Sequence, residues 1–355
     1  MSKGADGGIS AAALTEAVAK IFIATGISPA DAAMAAEDLV AADVEGVASH
    51  GVMLIPMYVD RLRAGSVSTA SAGEIVSDRE AAVVIDAQNV LGQLTARQAV
   101  SLAVARAKRY GLAAVTVRNA FHFGSAGRYA RMMADQGCVG MVMANTRPLM
   151  PAPGGAEPLT GNNPLAIVAP SNAPFSPEID MALSAVAMGK IRNAAAAGQP
   201  IPEGWAADKS GAVTTDPKAA IEGMLLPAAG PKGFGLAFLI DLLCGGLSGG
   251  GIGAEVAPLY GPPSKPYGSA SFFLAIDVGH FVPADTFKAR TQAELARVAA
   301  SRRAPGIERI YAPGELAFAA RTAAGGRCKV SPAALSSLVE TARGLGVDIS
   351  SLLSN

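Results

Sequence analysis

Residues 249–254, GGGIGA, spell the glycine pattern G-x-G-x-x-A. In a doubly wound α/β fold that pattern follows a strand and opens a helix, so that an anionic group meets the free N–H groups and positive dipole end of the helix. Here it follows the apolar run FGLAFLIDLLCGGLSGG (234–250). Bracketed by Lys232 and broken by Asp241, that run reads as a buried helix and not as a membrane span. Glycines downstream of a helix read as a flexible loop, so any nucleotide-binding fold in this chain is expected to be other than Rossmann.

Outward from that loop the pattern is strands alternating with helices. AAVVID (81–86), LAAVTVR (112–118), VGMVMANT (139–146), NPLAIVAP (163–170) and SFFLAID (271–277) read as strands. Ala96, Val100, Ala103, Val104 and Ala107 fall on one helical stripe, and a further helix runs from near Ser125 through Tyr129 and Met133. Both ends of the chain are helical. Leu14, Val18, Ile21 and Phe22 share a face that Gly26 terminates, and a second helix opens at Ser28, with Pro29 at its first position and Asp31 completing the cap, and runs to about Ala42. Near the C-terminus, Ser331 and Pro332 open a helix whose buried face is Leu335, Leu338, Val339 and Ala342. The expected class is α/β, a strand-rich centre with helical ends.

Composition narrows the partners. The 355 residues carry 29 Lys plus Arg against 29 Asp plus Glu, without a block of one sign, so nucleic acid and anionic membrane are disfavoured and a small molecule is the expected ligand. Half the residues are hydrophobic but only 5% are aromatic, which suits close helix-on-sheet packing. Cys138, Cys244 and Cys328 are odd in number and not grouped with histidine, arguing against a disulfide framework or a metal site and for reduced thiols in a cytoplasmic protein. MSKGADGGIS (1–10) lacks the apolar stretch of a signal peptide.

Only three histidines are present, and two sit where chemistry is usually done. His50, in GVASHGVMLIP (46–56), lies just beyond a helix; His122, in NAFHFGSAGRYA (119–130), lies in the turn between a strand and a helix, beside backbone N–H groups able to hold an anion. His280 reads as structural. TGNNPLAIVAP (160–170) supplies amides before a strand; PEIDMALSAVAMGK (177–190) reads as Asp180 preceding a helix capped by Ser184 and containing Lys190. PAAGPKGFGLAF (227–238) holds Lys232 at the mouth of a helix, suited to a phosphate.

In this order SHGV, HFG, APGGAEPLTGNNPLAI, DMALS, IPEGWAADKSGAVTTDP, LLPAAGPKGFGL and APGIERIYAPGE resemble the malate and L-lactate dehydrogenase type-2 family over nearly the whole chain. The resemblance implies a homodimer that binds NAD or NADP on a non-Rossmann sheet domain (76–304), with a helical substrate and dimerisation region formed by 1–75 and 305–355. It implies hydride transfer at C2 of a 2-hydroxy or 2-keto acid, or reduction of a cyclic 2-imino acid. His50 and His122 would flank the nicotinamide, His50 as proton donor, with Lys190 tuning it. Thr146, Asp180, Met181, Ala182, Lys232, Gly314 and Glu315 would bind the cofactor. Ser49, Asn145 and Asn162 would position the ligands together with Asn163, and Arg147 would meet a 2′-phosphate.

One position departs from the family pattern Ser-His-Gly-x-x-Arg: Leu54 stands where the arginine would grip a carboxylate. Losing that charge-assisted pair is worth roughly 1.5–3 kcal/mol. Either Arg147 or Lys190 compensates, or the substrate is uncharged at that end; a binding protein that no longer turns over is the reading of a different class.

Overall fold

The computed structural model describes residues 8–353. Its centre is one seven-stranded mixed sheet. In chain order the strands are β1 (Glu74–Arg79), β2 (Ala82–Asp86), β3 (Leu112–Ala120), β4 (Cys138–Ala144), β5 (Leu165–Val168), β6 (Glu178–Met181) and β7 (Ser269–Asp277). In space they run β1-β2-β3-β7-β4-β5-β6. Only β2 and β3 pair in parallel. The last strand of this sheet in chain order therefore lies in its middle, antiparallel to both β3 and β4.

Successive side chains of a strand point to opposite faces, and β7 shows it: Phe273 and Ala275 enter one apolar core, Phe272 the other. The first core is covered by α4 (Gly92–Tyr110) and α5 (Ala126–Ala134). Ala96, Ala99, Ala103 and Ala107 of α4 are fully buried, and their small side chains let the helix axis approach the strands closely. The second core contains Met143, Leu165 and Phe272 under Ala237 and Ile240 of α7 (Pro231–Asp241), and Leu183 and Ile191 belong to it too. Ile191 is contributed by α6 (Met188–Ala196). Two further helices, α8 (Ala284–Ala299) and α9 (Glu315–Ala324), follow the sheet.

A third core is helical. It joins α1 (Ala11–Ala24), α2 (Pro29–Val44) and α3 (Ile55–Arg63) to α10 (Pro332–Gly344), through Leu14, Val18, Phe22, Leu39, Tyr58, Leu338 and Ala342. Ile9–Ser10 pairs antiparallel with Arg327–Cys328, so the start of the described chain is bonded to the segment that leads into α10. Ser28 and Ser331 cap α2 and α10 as their sequences require, each accepting an N–H three residues on.

Several expectations need correction. EIDM (178–181) is an edge strand paired with Leu165–Val168, not the lead-in to a helix; Ser184 donates to Val186 O instead of capping, and the helix starts at Met188. An antiparallel partner holds that segment extended, which local pattern does not reveal. The apolar run from Phe234 is helical, but it is not buried all round: Leu236, Phe238, Leu239, Leu242 and Leu247 are 37–58% exposed, and the helix widens into a π-turn over Leu242–Gly246. None of the described helices is long and apolar enough to cross a membrane. The three cysteines are buried and unpaired. Of the polar N-terminal stretch, residues 1–7 lie outside the described residues.

Candidate active site

Two irregular segments meet between the helical core and the sheet. After α2 the chain makes two short 3₁₀ turns, Ala48–His50 and Val52–Leu54, before α3 begins. After β3 it forms the turn 121–125, whose His122 ring stacks against His50 at a centroid distance of 5.6 Å and an interplanar angle of 25°. The two histidines nominated separately from their loop positions are thus in contact in the structure.

The turn bearing His50 is held from below. Asp43 of α2 accepts the Val52 N–H at 2.8 Å, and a Cβ at Gly51 would lie 2.3 Å from the same carboxylate, so only glycine lets the backbone settle there. The turn bearing His122 is backed by α4, where a Cβ at Gly92 would lie 2.4 Å from the carbonyl oxygens of Phe121 and His122. Ser49 is exposed and its Oγ lies 3.0 Å from His50 Nδ1.

Both imidazoles are pushed toward neutrality. Burial takes the His122 pKa down to about 3, with nearby His50 adding to the shift. Burial also lowers His50, with the Asp180 carboxylate opposing the shift in part. Asp180 Oδ2 itself accepts from Ser125 Oγ at 2.7 Å and from Gly127 N at 2.9 Å, which ties β6 to the start of α5.

Most of the residues expected on the cofactor side lie along one line of main-chain bonds. Asn162 O accepts Leu183 N and Leu183 O accepts Ala228 N, placing the TGNN turn, the Asp180–Met181–Ala182 segment and the approach to Lys232 side by side. Met181 and Lys232 are exposed; Gly230 caps α7 without a side-chain bond, leaving Lys232 at an open helix N-terminus. Thr146 is set by two asparagines, its N–H on Asn163 Oδ1 at 2.9 Å and its hydroxyl on Asn162 Oδ1 at 3.0 Å. This donor set suits a dinucleotide: an ammonium at a helix mouth for the pyrophosphate, hydroxyl and carboxylate groups for sugar hydroxyls.

Other expected residues are placed differently. Leu54 is 1% exposed and sits in the helical core with Val52, Ile55 and Tyr58, so its side chain does not face a ligand. Asn145 spends its amide on Gly251 O and Ala270 N, fastening the glycine loop to β7. Glu315 accepts Ala312 N and pairs with Arg309, while Gly314, at φ 85°, brings its backbone against Ser176 and Glu178. Lys190 and Arg147 are exposed, and among the described residues neither makes an ion pair.

Three residues were not singled out from the sequence. Tyr58 of α3 reaches His122 Nδ1 at 2.8 Å, and Gln93 of α4 reaches Tyr58 at 3.1 Å. Arg61, buried without a carboxylate, donates to the carbonyls of Pro258, Leu259 and Lys265 and so clamps the loop that brings Tyr267 edge-on to Phe121. The usable signal was helical spacing: Leu54, Tyr58 and Arg61 share a face of the helix following His50.

The mixed sheet, with its glycine loop behind a helix, is not the Rossmann arrangement, and the two stacked histidines lie between that sheet and the helical core. The chain belongs to the malate/L-lactate dehydrogenase family, whose model matches residues 9–338. It is 36% identical over 310 residues to the malate dehydrogenase of Pyrococcus horikoshii, covering 85% of both chains. It is 32% identical over 290 residues to the ureidoglycolate dehydrogenase (NAD+) of Escherichia coli O157:H7, covering 82% of both. The structure of sulfolactate dehydrogenase from Methanocaldococcus jannaschii superposes with a TM-score of 0.92 at 33% identity, over 97% of this chain and 99% of that one. The protein is an NAD(P)-dependent dehydrogenase or reductase.

Proposed function

We propose that the protein exchanges a hydride between NAD(P) and C2 of a small 2-hydroxy or 2-keto acid, with His50 giving the proton to the new hydroxyl in reduction and recovering it in oxidation. The observation that carries this reading is the His50–His122 stack beside Asp180. Of the two rings, His50 is the one whose burial is opposed by a carboxylate, that of Asp180, which favours the protonated form that would give its proton to an oxygen. Thr146, Asp180, Met181, Ala182 and Lys232 would hold the dinucleotide, which supplies the hydride when bound. Asn162 and Asn163 act through Thr146, and Asn145 through the loop at Gly251.

With Leu54 withdrawn into the core, the unpaired cations Arg147 and Lys190 are the groups left to receive a substrate carboxylate or a 2′-phosphate. The exposed leucines of α7 and its π-turn suit burial against a second copy of the chain, supporting a homodimer. The test is oxidation of NADH and of NADPH against pyruvate, oxaloacetate, longer 2-keto acids and a cyclic 2-imino acid, for the wild type and His50→Ala. Turnover abolished by the substitution is expected; equal turnover by the variant would remove His50 from the mechanism.

A further inference from the structure

Tyr58 and Gln93 form a chain of hydrogen bonds ending on one imidazole nitrogen of His122. The Tyr58 hydroxyl lies 2.8 Å from Nδ1 of His122 and 2.9 Å from the carbonyl oxygen of the same residue, and Gln93 Nε2 donates to it at 3.1 Å. Burial raises the phenol pKa far above its ordinary value, so the hydroxyl keeps its single proton. A carbonyl can only accept, and Tyr58 is the donor the structure gives to His122 O, with Gly92 packed against that oxygen. If the phenol proton goes to the carbonyl, the hydroxyl faces Nδ1 with a lone pair, and Nδ1 must carry hydrogen. Reversing the Gln93 amide leaves this unchanged. Its oxygen, which has no partner as placed, would then be a second acceptor competing for the phenol proton, again leaving Nδ1 to donate.

We propose that Tyr58 is a positioning residue that holds His122 in its Nδ1–H form, so that Nε2, across the ring, offers only a lone pair to the bound substrate. This rests on the oxidoreductase reading above and adds a discrimination to it. A lone pair accepts the hydrogen of a finished C2 hydroxyl or amine once His50 has delivered its proton; against a keto oxygen it meets another acceptor. His122 therefore favours the reduced form of the substrate, and Tyr58 is what enforces that preference. A ring free to place its hydrogen on Nε2 would instead bind the keto oxygen.

The test has two independent readouts. With only three histidines in the chain, nitrogen-15 NMR of histidine-labelled protein resolves each ring. At neutral pH the wild type is expected to show His122 with a protonated Nδ1 and a bare Nε2, and Tyr58→Phe to show a mixture or the reverse. In steady-state kinetics Tyr58→Phe is expected to raise KM for the hydroxy acid five- to tenfold, as loss of one neutral hydrogen bond implies, with KM for the keto acid unchanged or lowered. A wild-type His122 protonated on Nε2 would overturn the proposal, as would a Tyr58→Phe enzyme with unchanged tautomer and equal KM ratios. Absence of turnover across the substrate panel would count against the oxidoreductase reading instead, while the spectrum of the wild type would still decide the tautomer.

Discussion

The Asp43 carboxylate receives the Val52 N–H at 2.8 Å from beneath the turn that presents His50. One helix thus fixes the position of a side chain seven residues beyond its own carboxylate. Burial raises the Asp43 pKa from 3.8 to about 6, with the Val52 hydrogen bond opposing the shift. Because the folded state binds this proton more tightly than the unfolded chain, stability from this group falls as pH rises from about 4 to 6, by about 3 kcal/mol. Asp43→Asn keeps an acceptor for Val52, so urea denaturation at pH 4.5 and 7.5 is expected to show the falling limb removed and kcat retained. Asp43→Ala leaves Val52 N–H without its partner, and is expected to lower both stability, by about 1–3 kcal/mol, and kcat.

His122 has the opposite sign. Its folded pKa of about 3 lies below the 6.5 of an unperturbed imidazole, so the unfolded chain takes up the extra proton and stability drops as pH falls from 6.5 toward 3. The full effect is on the order of 5 kcal/mol. His122→Gln should flatten this acid limb, as followed by circular dichroism melts between pH 4 and 7; a limb of unchanged slope would place the acid sensitivity elsewhere.

Leu54 packs in the core at the position where a carboxylate-gripping arginine was expected. Leu54→Ala is expected to cost 2–5 kcal/mol, about what a large-to-small change in a core costs, while leaving KM for the acid substrate within twofold in the fraction that folds. Leu54→Arg should lower the melting temperature without improving KM, because burying an unpaired guanidinium is penalised more heavily than the lost packing. An arginine variant that folds well and binds acids more tightly would show that the side chain can reach the ligand.

Arg131 joins three parts of the molecule. Its guanidinium bonds Glu178 of β6 at 2.5 Å and Glu45 at the end of α2, and Arg321 of α9 stands 3.8 Å and 3.9 Å from the same two carboxylates. Burial raises the Glu45 pKa against the pull of both arginines. Arg131→Met is expected to destabilise by about 3–5 kcal/mol, since it leaves buried carboxylates facing each other, and the triple variant with Glu45→Gln and Glu178→Gln should recover most of that. Equal melting temperatures for the single variant and the wild type would show that the cluster is too well solvated to matter.

What the sequence disclosed follows from what is local. The stripe in α4, the caps of α2 and α10 and the strands β2, β3, β4, β5 and β7 depend on periodicity and on neighbours within a turn, and the chain shows them. Asp180 was found but assigned to a helix approach, because its extended state depends on pairing with Ala166 across the edge of the sheet. His50 and His122 could be nominated from loop position, but their stacking joins turns far apart in sequence, one after α2 and one after β3. Tyr58 and Gln93 escaped notice for the same reason: a tyrosine and a glutamine on helical faces look like packing until the third partner arrives from a distant strand. The resemblance supplied most of the cofactor side, where spacing alone favoured ordinary turns except at Lys232, whose place at a helix mouth already suited a phosphate.

The placement of β7 between β3 and β4 has a consequence for how the molecule is made. Until residues 269–277 emerge from the ribosome, β3 and β4 each present an open row of backbone donors and acceptors, with the apolar faces of α4 and α5 already synthesised beside them. Two half-sheets must wait for a strand that the last third of the chain delivers, and during that interval each can pair with a neighbouring nascent chain. Synthesis slowed ahead of Ser269 would prolong the exposure, and a product ending before that residue would be an aggregation hazard rather than a smaller enzyme.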